Sequence, residues 1–126
     1  MSDNYDTGSE GERLLAVYLT ARGRVVTPSN KKEFDLVVDG RYAEVKSSKG
    51  PYSKLGFICL TENQYKALTG GVDFSIFIVC NLKDPANLEV IEMPAAQLQV
   101  ENPKIEPKYY WYRSQIERCR TQKERS

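Results

Sequence analysis

The chain has 126 residues, 40% hydrophobic and 28% charged, with a formal net charge of +1. That composition is ordinary for one globular domain with a modest core, and the net charge by itself says nothing about nucleic acid. There is no histidine, which excludes Ser-His-Asp triads, imidazole general bases and imidazole-bound metals, and leaves carboxylates, lysine, tyrosine and thiol for any chemistry.

Met1 to Thr7 is polar and acidic, reads as disordered, and has none of the features of a signal peptide, so the expected compartment is the cytoplasm. The first unit is accordingly set at 1–8. Ser9, followed by Glu12 three residues on, has the form of a capping box opening a helix. Leu14, Leu15, Tyr18 and Leu19 supply its apolar stripe and Gly23 ends it. Arg24 to Thr27 reads as a short strand. Phe34 to Val38 and Arg41 to Ser47 read as two strands of a hairpin, since Asp39-Gly40 is a strong two-residue turn signal. Ser48 to Lys54 is a loop, and Gly56 to Leu60 a third strand or an extended segment. Thr61 to Gln64 is a second capping box, starting a helix that stops at Gly70-Gly71. Asp73 to Cys80 reads as a strand buried on both faces, and Leu88 to Met93 as its neighbour. Pro94 to Leu98 fits one helical turn. The three cysteines, Cys59, Cys80 and Cys119, are widely spaced with no Cys-x-x-Cys pair, and Cys59 and Cys80, in apolar strand-like runs, read as buried thiols in a reducing setting. No apolar run is long enough to span a membrane. The order of elements predicts an α/β domain with a mixed central sheet flanked by helices. The core is expected over 9–100, with 101–126 forming a Pro-spaced linker and a basic, aromatic C-terminal helix from about Tyr109 to Arg120.

The hairpin register points to chemistry. With Asp39 and Gly40 as loop residues, Leu36 faces Ala43 and Asp35 faces Glu44, which brings two carboxylates to roughly 4.5–5.5 Å between Cβ atoms. Lys46, two residues beyond Glu44, points to the same side. Facing like charges are unfavourable unless a cation sits between them, and a carboxylate site favours Mg²⁺ or Mn²⁺. The alternative is a solvated polar face of an ordinary strand. Glu12 shares a helix face with Leu15, Ala16 and Leu19 and therefore points toward the sheet, either assisting the metal or returning the capping bond to Ser9. Lys31, Lys32, Lys49 and Lys54 flank the site as phosphate contacts or as plain solubilising charges. Tyr109 to Tyr112 either stack on unpaired bases or pack on the domain or on a second subunit.

Asp35, eight intervening residues and then Glu44-Val45-Lys46, preceded by a helix bearing Glu12 and followed by the helix from Thr61, resemble the PD-(D/E)XK nuclease superfamily, whose members include archaeal Holliday junction resolvases. The resemblance covers Ser9 to about Met93 and implies a restriction-endonuclease-like fold. It implies a metal-dependent nuclease acting on DNA, with RNA as an alternative substrate. It further implies Asp35 and Glu44 as Mg²⁺ or Mn²⁺ ligands, Glu12 as an assisting carboxylate, and Lys46 as the residue that orients water and offsets phosphate charge. Flanked by carboxylates, Lys46 suits charge stabilisation better than general-base action. The motif's proline is replaced by Phe34, and the Gln-x-x-x-Tyr signature of one branch is not met, because Gln64 is followed at once by Tyr65 and four residues later by Leu68. Gln64 therefore reads as a capping-box residue rather than a site residue. A nuclease-fold module without turnover, binding nucleic acid or a protein, is the second reading. A metal-independent RNA endonuclease is disfavoured by the missing histidine. A domain this small needs a partner copy to cut both strands, so a homodimer is expected.

Overall fold

A computed structural model describes residues 3–101, 104 and 105, and 109–120. Helix α1 (Asp3–Thr20) is followed by strands β1 (Val26–Pro28), β2 (Leu36–Val38), β3 (Arg41–Ser47) and β4 (Phe57–Leu60). Helix α2 (Glu62–Thr69), β5 (Phe74–Cys80) and β6 (Glu89–Pro94) come next, then β7 (Lys104–Ile105), β8 (Tyr109–Tyr112) and α3 (Arg113–Cys119). One sheet has the order β1-β2-β3-β5-β6 and a smaller one β4-β8-β7.

The Asp39-Gly40 turn sets the hairpin. Both residues take positive φ, 52° and 83°, the backbone of the tight turn whose twist matches paired strands. The Asp39 carboxylate accepts from Val25 N at 2.9 Å and pairs with Arg24, which ties the turn to the approach of β1. β3 then runs parallel to β5, and parallel strands need a crossover, here through β4 and α2. That crossover makes β3 an interior strand and buries what it carries.

β5 explains the two cores. Its seven residues are all buried, so alternate side chains serve opposite faces. Phe77 and Val79 join Leu15 and Leu19 of α1, with Ala43 and Val38, on one face. Ile76, Ile78 and Cys80 pack on the other with Leu60, Met93, Leu98, Trp111 and Ile116. The molecule is thus α1, the mixed sheet, and a second layer of α2, α3 and the small sheet.

Several expectations are corrected. Residues 3–8 are helical, so α1 begins at Asp3 and not at Ser9; the acidic start of the sequence suits the positive end of a helix dipole. Ser9 therefore lies inside the helix and caps nothing. β2 starts at Leu36, one residue after Asp35, and β1 is shifted to Val26–Pro28. Tyr109–Tyr112 is a strand, not the start of a helix. It pairs antiparallel with β4, and aromatic residues favour strands. The helix is shorter, Arg113–Cys119, and buries Ile116 and Cys119. Trp111, Ile116 and Cys119 thus join the core cluster of Leu60, Met93 and Leu98. Of the two cysteines expected to be buried, Cys80 is buried but Cys59 is left partly exposed. Most of the expected linker, 102–103 and 106–108, and the basic end with Lys123 and Arg125 lie outside the described residues. Among the described residues, no helix is long and apolar enough to cross a membrane.

Candidate active site

The site forms where β2 gives out. β2 pairs with β3 only over Leu36–Val38, opposite Ala43–Arg41, whereas β3 continues to Ser47 with β5 on its other side. The predicted register is met for Leu36, Val37 and Val38. Asp35 leaves the ladder: its N–H donates to Ala43 O at 3.1 Å, and its carboxylate Oδ2 accepts from Val45 N at 2.9 Å. A backbone donor that a longer β2 would have used is satisfied by a carboxylate instead.

Glu44 and Lys46 point away from α1, as the alternation of β3 requires, while Ala43 and Val45 pack toward it. Glu44 is 5% exposed. Its Oε2 lies 2.9 Å from Lys46 Nζ. Its Oε1 is buried and has no hydrogen-bond partner among the described residues. Burial pushes the Glu44 carboxyl up to about 7; Lys46 opposes that rise and the neighbouring Asp35 carboxylate adds to it. Asp35 is thus near enough for its charge to be felt at Glu44.

Glu12 approaches from the other side. Gly11 lets α1 rest directly on β3: a Cβ there would overlap the Ser47 hydroxyl and lie 2.7 Å from Ser47 Cβ. The half-buried Glu12 carboxyl is raised, first by burial and then by the charge of Asp35. With Ser9 inside the helix, the capping alternative for Glu12 falls away. Asp35 thus faces acidic neighbours on both α1 and β3.

This arrangement fits a divalent cation in one respect and stops short in another. Two carboxylates, one of them with a buried oxygen that has no partner among the described residues, are hard donors that a hard cation satisfies. Among the described residues, however, no three Asp, Glu, His or Cys side chains gather where they could hold a metal ion. The metal reading rests on the Asp35–Glu44 pair, with Glu12 as an outer carboxylate.

Gln64 belongs to this neighbourhood as well as to its helix. The expected capping box is present, with Thr61 Oγ1 accepting from Gln64 N at 3.2 Å and Gln64 Oε1 accepting from Thr61 N at 3.1 Å. The same Oε1 lies 3.5 Å from Lys46 Nζ, and Nε2 donates to Glu33 O at 3.0 Å. Capping alone therefore does not account for Gln64: its contact with Lys46 depends on where the crossover returns α2.

Lys31, Lys32, Lys49 and Lys54 are exposed, and Lys31 Nζ lies 5.4 Å from the centre of the Tyr42 ring, two residues before Glu44. Trp111 is fully buried and donates Nε1–H to Glu101 O at 3.0 Å, so it packs on the domain and is no platform for bases. Tyr112 and its cross-strand neighbour Phe57 remain exposed. A cavity of about 150 Å³ lined by Ser47, Leu55, Phe57 and Cys59 opens beside Lys46. A larger cleft of about 590 Å³ lies by Arg41, at the other end of β3. Its Arg24 is held by both Glu92 oxygens at 2.9 Å and by Asp39, an ion-pair network that fastens β6 to the hairpin turn.

No protein-family model and no curated protein matches the sequence. Among solved structures, the chain is similar to Archaeoglobus fulgidus Hjc, a Holliday junction resolvase from an archaeal hyperthermophile. The TM-score is 0.57 at 17% identity, over 93% of each chain. At that identity the likeness concerns the fold alone: this chain has the mixed-sheet α/β, restriction-endonuclease-like architecture of that resolvase.

Proposed function

We propose that the chain binds nucleic acid, DNA above all, and hydrolyses its phosphodiester bonds at Asp35, Glu44 and Lys46 with Mg²⁺ or Mn²⁺. The observation that carries this reading is the Glu44 carboxylate: buried against Asp35, one oxygen on Lys46 and the other without a partner among the described residues. Burying such a group costs free energy that a cation would recover.

When bound, the metal supplies a Lewis acid and a water of lowered pKa. The chain's own residues do the rest. Asp35 and Glu44 would hold the ion at the unpaired edge of β3. The Val45 N–H fixes the Asp35 carboxylate, and the ammonium of Lys46, 2.9 Å from Glu44, is placed to offset charge on a phosphate oxygen. Glu12 adds negative potential on the α1 side. The exposed lysines of the flanking loops suit the phosphate backbone.

A second reading has its own support. With no three-carboxylate set among the described residues and Lys46 already paired with Glu44, the domain would bind nucleic acid or a protein on the nuclease fold without turnover. This reading needs nothing beyond the fold and the surface lysines.

Incubation with branched, duplex and single-stranded DNA, and with RNA, in Mg²⁺ or Mn²⁺ separates the two. The hydrolytic reading expects cutting by the wild type and a loss of about 10²-fold or more in Asp35→Ala and Lys46→Ala. Retarded but uncut nucleic acid in every case supports the silent module. Variants as active as the wild type place the chemistry elsewhere.

A further inference from the structure

Gln64 stands where three parts of the site meet. It is 7% exposed, at the start of α2, beside Lys46 of β3 and the segment that leads into Asp35. A capping role uses only its bond to Thr61 N, which glutamate serves as well as glutamine. The other two contacts need a primary amide. Oε1 accepts from the Lys46 ammonium at 3.5 Å, and Nε2 donates to Glu33 O, two residues ahead of Asp35, at 3.0 Å. No carboxylate both donates and accepts while ionised.

From this we infer that Gln64 is a positioning residue of the site, holding the Lys46 ammonium and the Asp35 arm to the N-terminus of α2 through one buried amide. The inference rests on the proposed hydrolytic site. Lysine is a flexible chain ending in a point charge. With Glu44 as its partner on one side, Lys46 would lean onto that carboxylate. A neutral acceptor on the α2 side restrains the ammonium without adding a second negative charge to compete with phosphate. The bond to Glu33 O is the shorter of the two and fixes the chain just before Asp35 departs from the ladder. One amide thereby coordinates the two sides of the site.

Three variants test this. Thr61→Ala removes half of the capping box and leaves the Gln64 side chain in place. Gln64→Ala removes the amide, and Gln64→Glu keeps length and cap but loses the donor to Glu33. If Gln64 positions the site, kcat falls about 10- to 100-fold in both Gln64 variants, with KM within about threefold, as expected for a displacement near 1 Å. Thr61→Ala then keeps kcat within about twofold while losing roughly 1 kcal/mol of stability, read as a lower Tm. Gln64→Glu with wild-type kcat overturns the proposal, and so does a parallel loss of kcat in Thr61→Ala and Gln64→Ala.

A readout independent of turnover accompanies these. In metal-free protein carrying ¹³C-lysine, the Lys46 signal is identified by its absence in Lys46→Ala. A restrained side chain gives two distinct ε-methylene proton shifts in the wild type and in Thr61→Ala, collapsing to one in Gln64→Ala. An unchanged Lys46 signal in Gln64→Ala overturns the positioning role even if the wild type cuts nothing, an outcome that by itself counts only against the hydrolytic reading.

Discussion

At Glu44 two forces oppose each other. Burial in an interior strand and the neighbouring Asp35 favour the protonated acid, while Lys46 favours the carboxylate, and burial prevails, with the carboxyl at about 7. The consequence for stability has a definite sign. Between the ordinary value of 4.5 and about 7, the folded chain keeps a proton that the unfolded chain has released. The contribution of Glu44 is therefore greatest below the ordinary value and is lost as pH rises through 7, by on the order of 3 kcal/mol. Glu44→Gln mimics the protonated acid and removes this dependence. Metal-free melts at pH 5.5 and pH 8 are expected to show the variant gaining Tm relative to wild type as pH rises; equal slopes would refute the account of Glu44. That Asp35 comes near Glu44 was legible in the sequence because a two-residue turn fixes register by counting, although the pairing holds only as far as Leu36 and Ala43 and Asp35 itself leaves the ladder. The neighbours Glu12 and Gln64 are a different matter. Each lay in an apparent capping box, but Ser9 turned out to be interior to a longer helix, and Gln64 caps α2 while also reaching Lys46. Local spacing cannot distinguish a side chain that serves its own helix from one that also serves a strand brought close by folding.

Among the elements, the hairpin was legible and the C-terminal segment was not. Asp39-Gly40 demands positive φ at both positions, few other pairs accept it, and β2 and β3 follow. What the pattern could not show is that β2 stops at Leu36 and frees Asp35 to bond Val45 N. The run Tyr109 to Tyr112 has four aromatics in succession and no polar alternation to mark a strand, so the polar residues after it favoured a helix. Its pairing with β4 is a long-range contact that decided the outcome. The difference is measurable. Trp111 is fully buried in the core beneath the mixed sheet. Trp111→Ala is expected to cost about 3–5 kcal/mol in urea unfolding, with the site's geometry lost alongside it. A cost below about 0.5 kcal/mol is what an exposed tail residue gives, and it would contradict the placement of β8.

On the scale of the whole molecule, the parallel pairing of β3 with β5 buries Glu44 by making β3 an interior strand, and the crossover places α2 against the site. α1 closes the opposite face, with Gly11 pressed onto Ser47 and Glu12 brought near Asp35. The expected mixed α/β sheet is what the structure has, and it is shared with the archaeal resolvase over 93% of both chains. The expected homodimer drew on the small size of the domain and on an exposed aromatic tail; Trp111 of that tail is buried, and among the described residues Phe57 and Tyr112 of the small sheet are exposed. The central claim is that this fold brings Asp35 and Glu44 together so that they grip one divalent ion. Calorimetric titration of Mn²⁺ into the wild type and into Asp35→Ala at pH 7.5 tests it without any substrate. The account predicts saturable binding in the wild type and its loss in the variant, with a wild-type stabilisation of about 2.7 kcal/mol at a hundredfold excess over Kd. Binding absent from the wild type, or equally strong in Asp35→Ala, would contradict it.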